Sequence, residues 1–274
     1  MLNVPSSLSL AELRRQLEFA KGQVAAYQQE LQRLIEAENS KAQELAVAYQ
    51  QLQSFAKDLK RAFDAERRRS AELEAAYYDT LVRLTHASRY KDEETGAHVQ
   101  RLSHYSRLVG LHLGLSEAEA DLLFAAAPMH DVGKIGVPDS VLLKRGPLTL
   151  AEWRLMQKHP EMGANLLTGS NSLLLECARE IALTHHERWD GSGYPLGLQG
   201  EDIPLAGRIV MLADQYDALR SRRSYKPPFD HDKTCDILLN GDGRTVPKHF
   251  DPQLLDAFRD LQQEFAAIFA RISD

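Results

Sequence analysis

The sequence predicts an all-α protein, a helical bundle with long loops that follows one long coiled-coil helix. Three observations carry this. No glycine or proline interrupts the chain between Gly22 and Gly96, and that stretch is rich in Ala, Leu, Glu, Gln, Lys and Arg, residues that lose little freedom in a helix. Beyond about residue 80 the apolar residues recur at helical spacing in shorter segments punctuated by Gly and Pro. Alternating β-branched runs, the mark of strands, are almost absent.

The first element, residues 1–80, is read as a dimerisation and signalling helix. With Leu10 at heptad position a, the a series runs Leu10, Leu17, Val24, Leu31, Glu38, Leu45, Leu52 and Leu59. The d series runs Leu13, Ala20, Tyr27, Leu34, Lys41, Ala48, Phe55 and Ala62. Only the Glu38 and Lys41 heptad breaks this seam, and a polar layer of that kind sets register or oligomer state. A parallel homodimer is expected. The alternative, a hairpin of helices folding back on itself, lacks a loop signal. The repeat falters where Glu66 and Arg69 reach the seam, so a globular part is expected over residues 81–274. Its helices are read in "VQRLSHYSRLVGLHLGL", "EADLLFAAAPMHDVG", "LAEWRLMQKHPEMGANLL" and "LLLECAREIALTHHE".

Composition narrows the function. A chain of 274 residues, 43% hydrophobic, can bury one substantial core. Its net charge of −6 disfavours coating of DNA, which needs many basic phosphate contacts. Cys177 and Cys235 stand far apart without CxxC spacing, which fits a reducing compartment and a cytoplasmic location. No apolar run approaches the roughly 18 residues of a membrane span, and the start lacks a signal-peptide pattern.

Histidines and acids then appear in a pattern suited to metal ions. "ETGAH" places Glu94 and His98 on one helical face. "MHDVGKIG" sets His130 beside Asp131, which diverge by about 100° on a helix and so could flank a metal pair only near a helix end. "QKHPEMG" adds His159, "LTHHERWD" adds His185 and His186, and "MLADQYDAL" adds Asp214 in an apolar helical stretch where an unpaired carboxylate is costly. Singly, each is ordinary; His86, His104, His112 and His231 are scattered without such neighbours. Together they suggest a hydrolytic metal centre.

The order of these motifs resembles the HD-domain superfamily of metal-dependent phosphohydrolases. "HHERWDGSGYP", residues 185–195, matches the signature HHExxDGxGYP of the HD-GYP family. The resemblance covers about residues 80–270 and implies an HD-type helical bundle that hydrolyses cyclic di-GMP with two or three divalent ions, often iron or manganese. It places metal ligands at His98, His130, Asp131, His159, His185, His186 and Asp214, with Asp131 bridging ions, and a third-ion ligand at Glu94. Lys134 matches the catalytic lysine, and Asp217 is expected to orient it. Gly193 and Tyr194 are expected to meet the substrate, Gly191 and Gly193 letting the chain turn sharply, while Arg223 and Lys226 match a phosphate-binding pair. Two rival readings stay open: another cyclic dinucleotide or a guanosine polyphosphate as substrate, or a cyclic di-GMP sensor with little turnover. A diguanylate cyclase or a sensory protein is a conceivable partner by resemblance alone.

Overall fold

The computed structural model describes residues 9–89, 96–221 and 228–273. Two units are distinguished, Met1–Ala75 and Ala76–Asp274. Helix α1 runs from Leu10 to Arg89. Ser9 caps it: its Oγ accepts from the Glu12 backbone N–H at 3.3 Å, and the Glu12 carboxylate accepts from the Ser9 N–H at 2.9 Å. The helix passes Gly22 without a break, which removes the hairpin alternative. Along the heptad seam Leu10, Leu17, Tyr27, Leu31, Leu45, Leu52, Phe55 and Leu59 are between 47% and 75% exposed, an apolar stripe that the isolated chain leaves in water.

The second unit is a bundle, and no strand occurs among the described residues. Helices α2 (Gly96–His112) and α3 (Glu117–Ala126) pair, short α4 (Asp139–Leu142) and α5 (Leu150–Met156) follow, and α6 (His159–Leu167) packs on α7 (Leu173–Thr184). Helix α8 (Leu205–Arg220) lies against α2 and α7, and α9 (His231–Asn240), α10 (Pro252–Asp260) and α11 (Gln262–Arg271) complete the bundle. Leu102 and Tyr105 of α2, Ile181 of α7, Leu212 and Tyr216 of α8 and Phe265 of α11 all lie in one core. Tyr105 stacks on Phe265 at 4.5 Å. Helices α7 and α8 approach closely because Gly207 has no side chain; a Cβ there would lie 2.1 Å from Thr184 Oγ1. That contact sets the C-terminal end of α7, from which His185 and His186 follow, against the first turn of α8. No described helix is long and apolar enough to cross a membrane.

Candidate metal centre

Each histidine reaches the centre because its helix ends or begins there. After α3 the chain tightens into a 3-10 turn, Ala127–Met129, and His130 and Asp131 follow at its end. Asp131 has φ −102° and ψ 11°, off the α-helical path, so the adjacent pair can serve one place rather than diverge. The next 3-10 turn, Val132–Gly136, packs backbone to backbone on α6: a Cβ on Gly133 would meet the His159 carbonyl at 1.9 Å and the Gly163 nitrogen at 2.4 Å. Glycine is the side chain that lets Asp131 and His159 meet. His185 caps the end of α7 and His186 lies just past it, and their rings stay side by side, with centroids 4.1 Å apart.

The outer nitrogens set the tautomers. His130 Nδ1 is 3.0 Å from the Ala127 carbonyl, His159 Nδ1 is 2.7 Å from the Met156 carbonyl, and His185 Nδ1 is 3.1 and 3.0 Å from the Ile181 and Ala182 carbonyls. A carbonyl only accepts, so these three rings carry their proton on Nδ1 and turn an Nε2 lone pair inward. His159 Nε2 and His185 Nε2 then face each other at 3.4 Å, with Asp131 Oδ1 at 3.0 and 3.6 Å from them. Burial lowers the pKa of His185, and more strongly that of His186, where the neighbouring imidazoles add to the effect. Neutral rings and a carboxylate oxygen thus converge as acceptors, and a cation is what such a set fits.

Two groups result, Asp131 with His159, His185 and His186, and His98 with His130 and Asp214; in each, the ligand atoms lie within 4.8 Å of one another. Asp131 faces both. Its Oδ1 points to the first group, and its Oδ2 lies 3.1 Å from His130 Nε2 and 2.6 Å from Lys134 Nζ. Burial alone would push this carboxyl up, but it is held well below the usual carboxylate range, the Lys134 ammonium beside it being the largest opposing influence. The sequence-predicted ligands His98, His130, Asp131, His159, His185, His186 and Asp214 are therefore gathered in space. Glu94, Arg223 and Lys226 lie outside the described residues.

One expectation needs correction. Asp217 does not orient Lys134. It is fully buried on α8, where its Oδ2 takes His98 Nδ1–H at 2.8 Å and its two oxygens accept from Arg101 at 2.7 and 2.9 Å. Its work is to back His98, because one turn of α8 separates it from Asp214 on the side facing α2. Gly193 has a reason other than a ligand for being small: a Cβ would lie 2.3 Å from the Arg188 nitrogen and 2.5 Å from Glu187 Cα. Gly191, at φ +78°, does supply the turn. Tyr194 stacks on His186 at 4.7 Å and 27°; burial and then the Asp131 charge raise its phenol pKa, so it stays protonated.

Two residues of the site escaped the sequence reading. Glu187 is buried, and its carboxylate accepts from the backbone N–H groups of Leu196, Gly197 and Leu198 at 2.7, 3.2 and 3.0 Å. It ties the Gly-rich loop down; its place directly after the paired histidines was the available signal. Arg101, 1% exposed, had none, since an arginine three residues after a histidine reads as a surface residue.

Comparison with known proteins agrees with this geometry. The sequence profile of the HD domain matches residues 85–254. The chain belongs to the HD domain family. Its residues 185–195 make it an HD domain of the HD-GYP type, a divalent-metal-binding class. This HD domain chain is 47% identical over 208 residues to a cyclic di-GMP phosphodiesterase of Vibrio cholerae, across 71% of this chain and 41% of that protein. It is 45% identical over 196 residues to 3'3'-cGAMP-specific phosphodiesterase 2 of the same organism, across 72% of this chain and 37% of that protein. The chain thus spans about two fifths of the length of these curated relatives. A solved structure of a cyclic GMP-AMP-specific phosphodiesterase of V. cholerae, V-cGAP3, shares the fold, with a TM-score of 0.50 and 21% identity over 69% of this chain and 50% of that one.

Proposed function

We propose that this HD domain hydrolyses cyclic di-GMP to linear pGpG, and onward to GMP, with two or three divalent ions, iron or manganese. One observation carries the reading: the two oxygens of a single carboxylate, Asp131, face two separate clusters of imidazole lone pairs. The naming of a relative at 47% identity as a cyclic di-GMP phosphodiesterase supports the substrate. When bound, the ions would neutralise the scissile phosphate and acidify the attacking water. His159, His185 and His186 would hold one ion and His98, His130 and Asp214 another, with Asp131 shared between them and Glu94 available to a third. The mixture of imidazole and carboxylate suits iron or manganese.

The remaining chemistry falls to side chains around that site. Lys134, partly exposed beside Asp131, is placed to neutralise a phosphate oxygen or to assist the departing 3' oxygen. Tyr194 forms a wall next to His186, and Arg223 and Lys226 would clamp phosphate, for which a guanidinium fork is well shaped. The exposed heptad seam of α1 favours a parallel homodimer through residues 1–80; sedimentation equilibrium should return twice the chain mass, and a monomer at micromolar concentration would overturn that part. The free thiols Cys177 and Cys235 fit the reducing cytoplasm, a placement that cell fractionation checks.

A second reading, hydrolysis of a mixed cyclic GMP-AMP, is favoured by the relative at 45% identity. Protein purified without oxygen and reconstituted with Fe(II) or Mn(II) separates the two when presented with both dinucleotides. Cyclic di-GMP should be cleaved faster. Faster cleavage of cyclic GMP-AMP would transfer the assignment to the second reading, and tight binding with no product after long incubation would make the protein a sensor.

A further inference from the structure

We infer that the exposed indole of Trp153, set edge-to-face against Tyr194, is a stacking platform for a purine base at the edge of the metal centre, a substrate subsite separate from the ion-holding residues. The inference rests on the nucleotide reading above and specifies where the base goes. A line of rings leads outward from the first group: His186 is stacked on Tyr194 at 4.7 Å, and the indole of Trp153 stands 6.0 Å beyond, at 76° to the Tyr194 ring. Trp153 is 42% exposed, so much of its ring remains available to a ligand.

The platform is rigidly tied to the centre. Trp153 lies on α5, whose start is held by the reciprocal Thr149 and Glu152 capping box and by Lys144, 2.6 Å from the Glu152 carboxylate. One turn after Trp153, on the same helical face, the Met156 carbonyl accepts from His159 Nδ1 at 2.7 Å. The same short helix thus orients a ligand of the first group and presents the indole. A dinucleotide whose phosphate sits at the ions must send a base away from them, and aromatic faces are where an unpaired base finds its strongest neutral contact. Such stacking depends on the breadth of the π-face rather than on edge groups, so the subsite favours a purine without choosing between guanine and adenine.

The test uses the Mn(II)-loaded full chain and cyclic di-GMP, read by steady-state hydrolysis and by stopped-flow tryptophan emission before turnover. The chain has two tryptophans; Trp189 lies under the Arg208 guanidinium at 5.5 Å and serves as the internal reference. Cyclic di-GMP should quench the wild-type protein. Trp153→Leu should raise KM about 5- to 150-fold, the range expected for loss of one base–aromatic stack, with kcat and metal content kept. Trp153→Phe should restore KM yet abolish the quench. If Trp153 merely props Tyr194, Trp153→Leu will instead lower kcat or metal content at unchanged KM, and the platform is refuted. Quenching that persists in Trp153→Phe refutes it even where the leucine variant fails to fold. Absence of any cyclic di-GMP binding by the wild type removes the nucleotide reading as well, whereas undiminished binding by Trp153→Leu removes the platform alone.

Discussion

Asp131→Asn is expected to reduce cyclic di-GMP hydrolysis by more than about 10³-fold, beyond the cost of losing one oxyanion donor, and to deplete metal from both groups. The amide keeps the shape of the carboxylate but removes its charge, and it cannot present an acceptor oxygen to both clusters. Its NH₂ must face either His159 and His185 or His130, and a donor pointed at an imidazole lone pair occupies the electrons an ion would use. Lys134 loses its 2.6 Å partner as well, leaving an ammonium beside the remaining cations. Elemental analysis alongside turnover checks this; a variant that holds wild-type metal and cleaves within about tenfold of wild type would contradict the shared role of Asp131.

The second large effect concerns a residue that touches neither substrate nor ion. Asp217→Asn should lower stability by about 3–5 kcal/mol, because it breaks a buried ion pair by removing the carboxylate charge that faces the Arg101 guanidinium. For a unit of this size that is a fall in Tm of roughly 6–20 °C. The same change removes the anion behind His98 Nδ1 and should weaken metal binding at the His98, His130 and Asp214 group about 10- to 100-fold, with the other group retained. Burial would raise the Asp217 carboxyl, but His98 and Arg101 outweigh it and lower it. A carboxyl lowered by folding stabilises fully above its unfolded value, and that contribution fades as pH falls through the folded one. The wild type should therefore lose part of its margin in acid that the variant never had. Thermal unfolding across pH and a metal titration with two resolved steps read both effects; equal loss at the two groups would show that Asp217 acts on the whole fold.

Arg101 also connects this pair to the end of the bundle. Its Nη1 donates to the Ile272 carbonyl at 2.9 Å, and Phe269 of α11 lies between the guanidinium groups of Arg101 and Arg220 at 4.6 and 4.4 Å. Helix α11 therefore packs on the group that holds Asp217, which in turn backs His98. None of these links has a local signature. An arginine at 101, an aspartate at 217 and a phenylalanine at 269 carry no mark of contact in the sequence.

The cluster of histidines and acids was legible for a different reason. Adjacent histidines at 185 and 186, a histidine beside an aspartate at 130 and 131, and an acid amid apolar residues at 214 are chemically unusual where they stand, and unusual placement survives without knowledge of the fold. The long helix was legible because helix formation is local and no glycine or proline falls within residues 23–89. Asp217 was misread because helical spacing says which residues share a face but not what that face meets. The packing constraint at Gly193 was not legible, because which side of a missing side chain is occupied depends on the turn.

By itself, then, the amino-acid order determined the helical class, the seam of α1 and the inventory of groups able to hold ions, since propensity, periodicity and ligand chemistry belong to individual residues and their neighbours. Only the tertiary structure decided which histidines stand on each side of Asp131, that Asp217 stands behind His98 and that Glu187 ties down the glycine-rich loop. Those are contacts between distant segments, chosen by the packing of α2, α6, α7 and α8 around the shared core, and packing is a property of all the helices together.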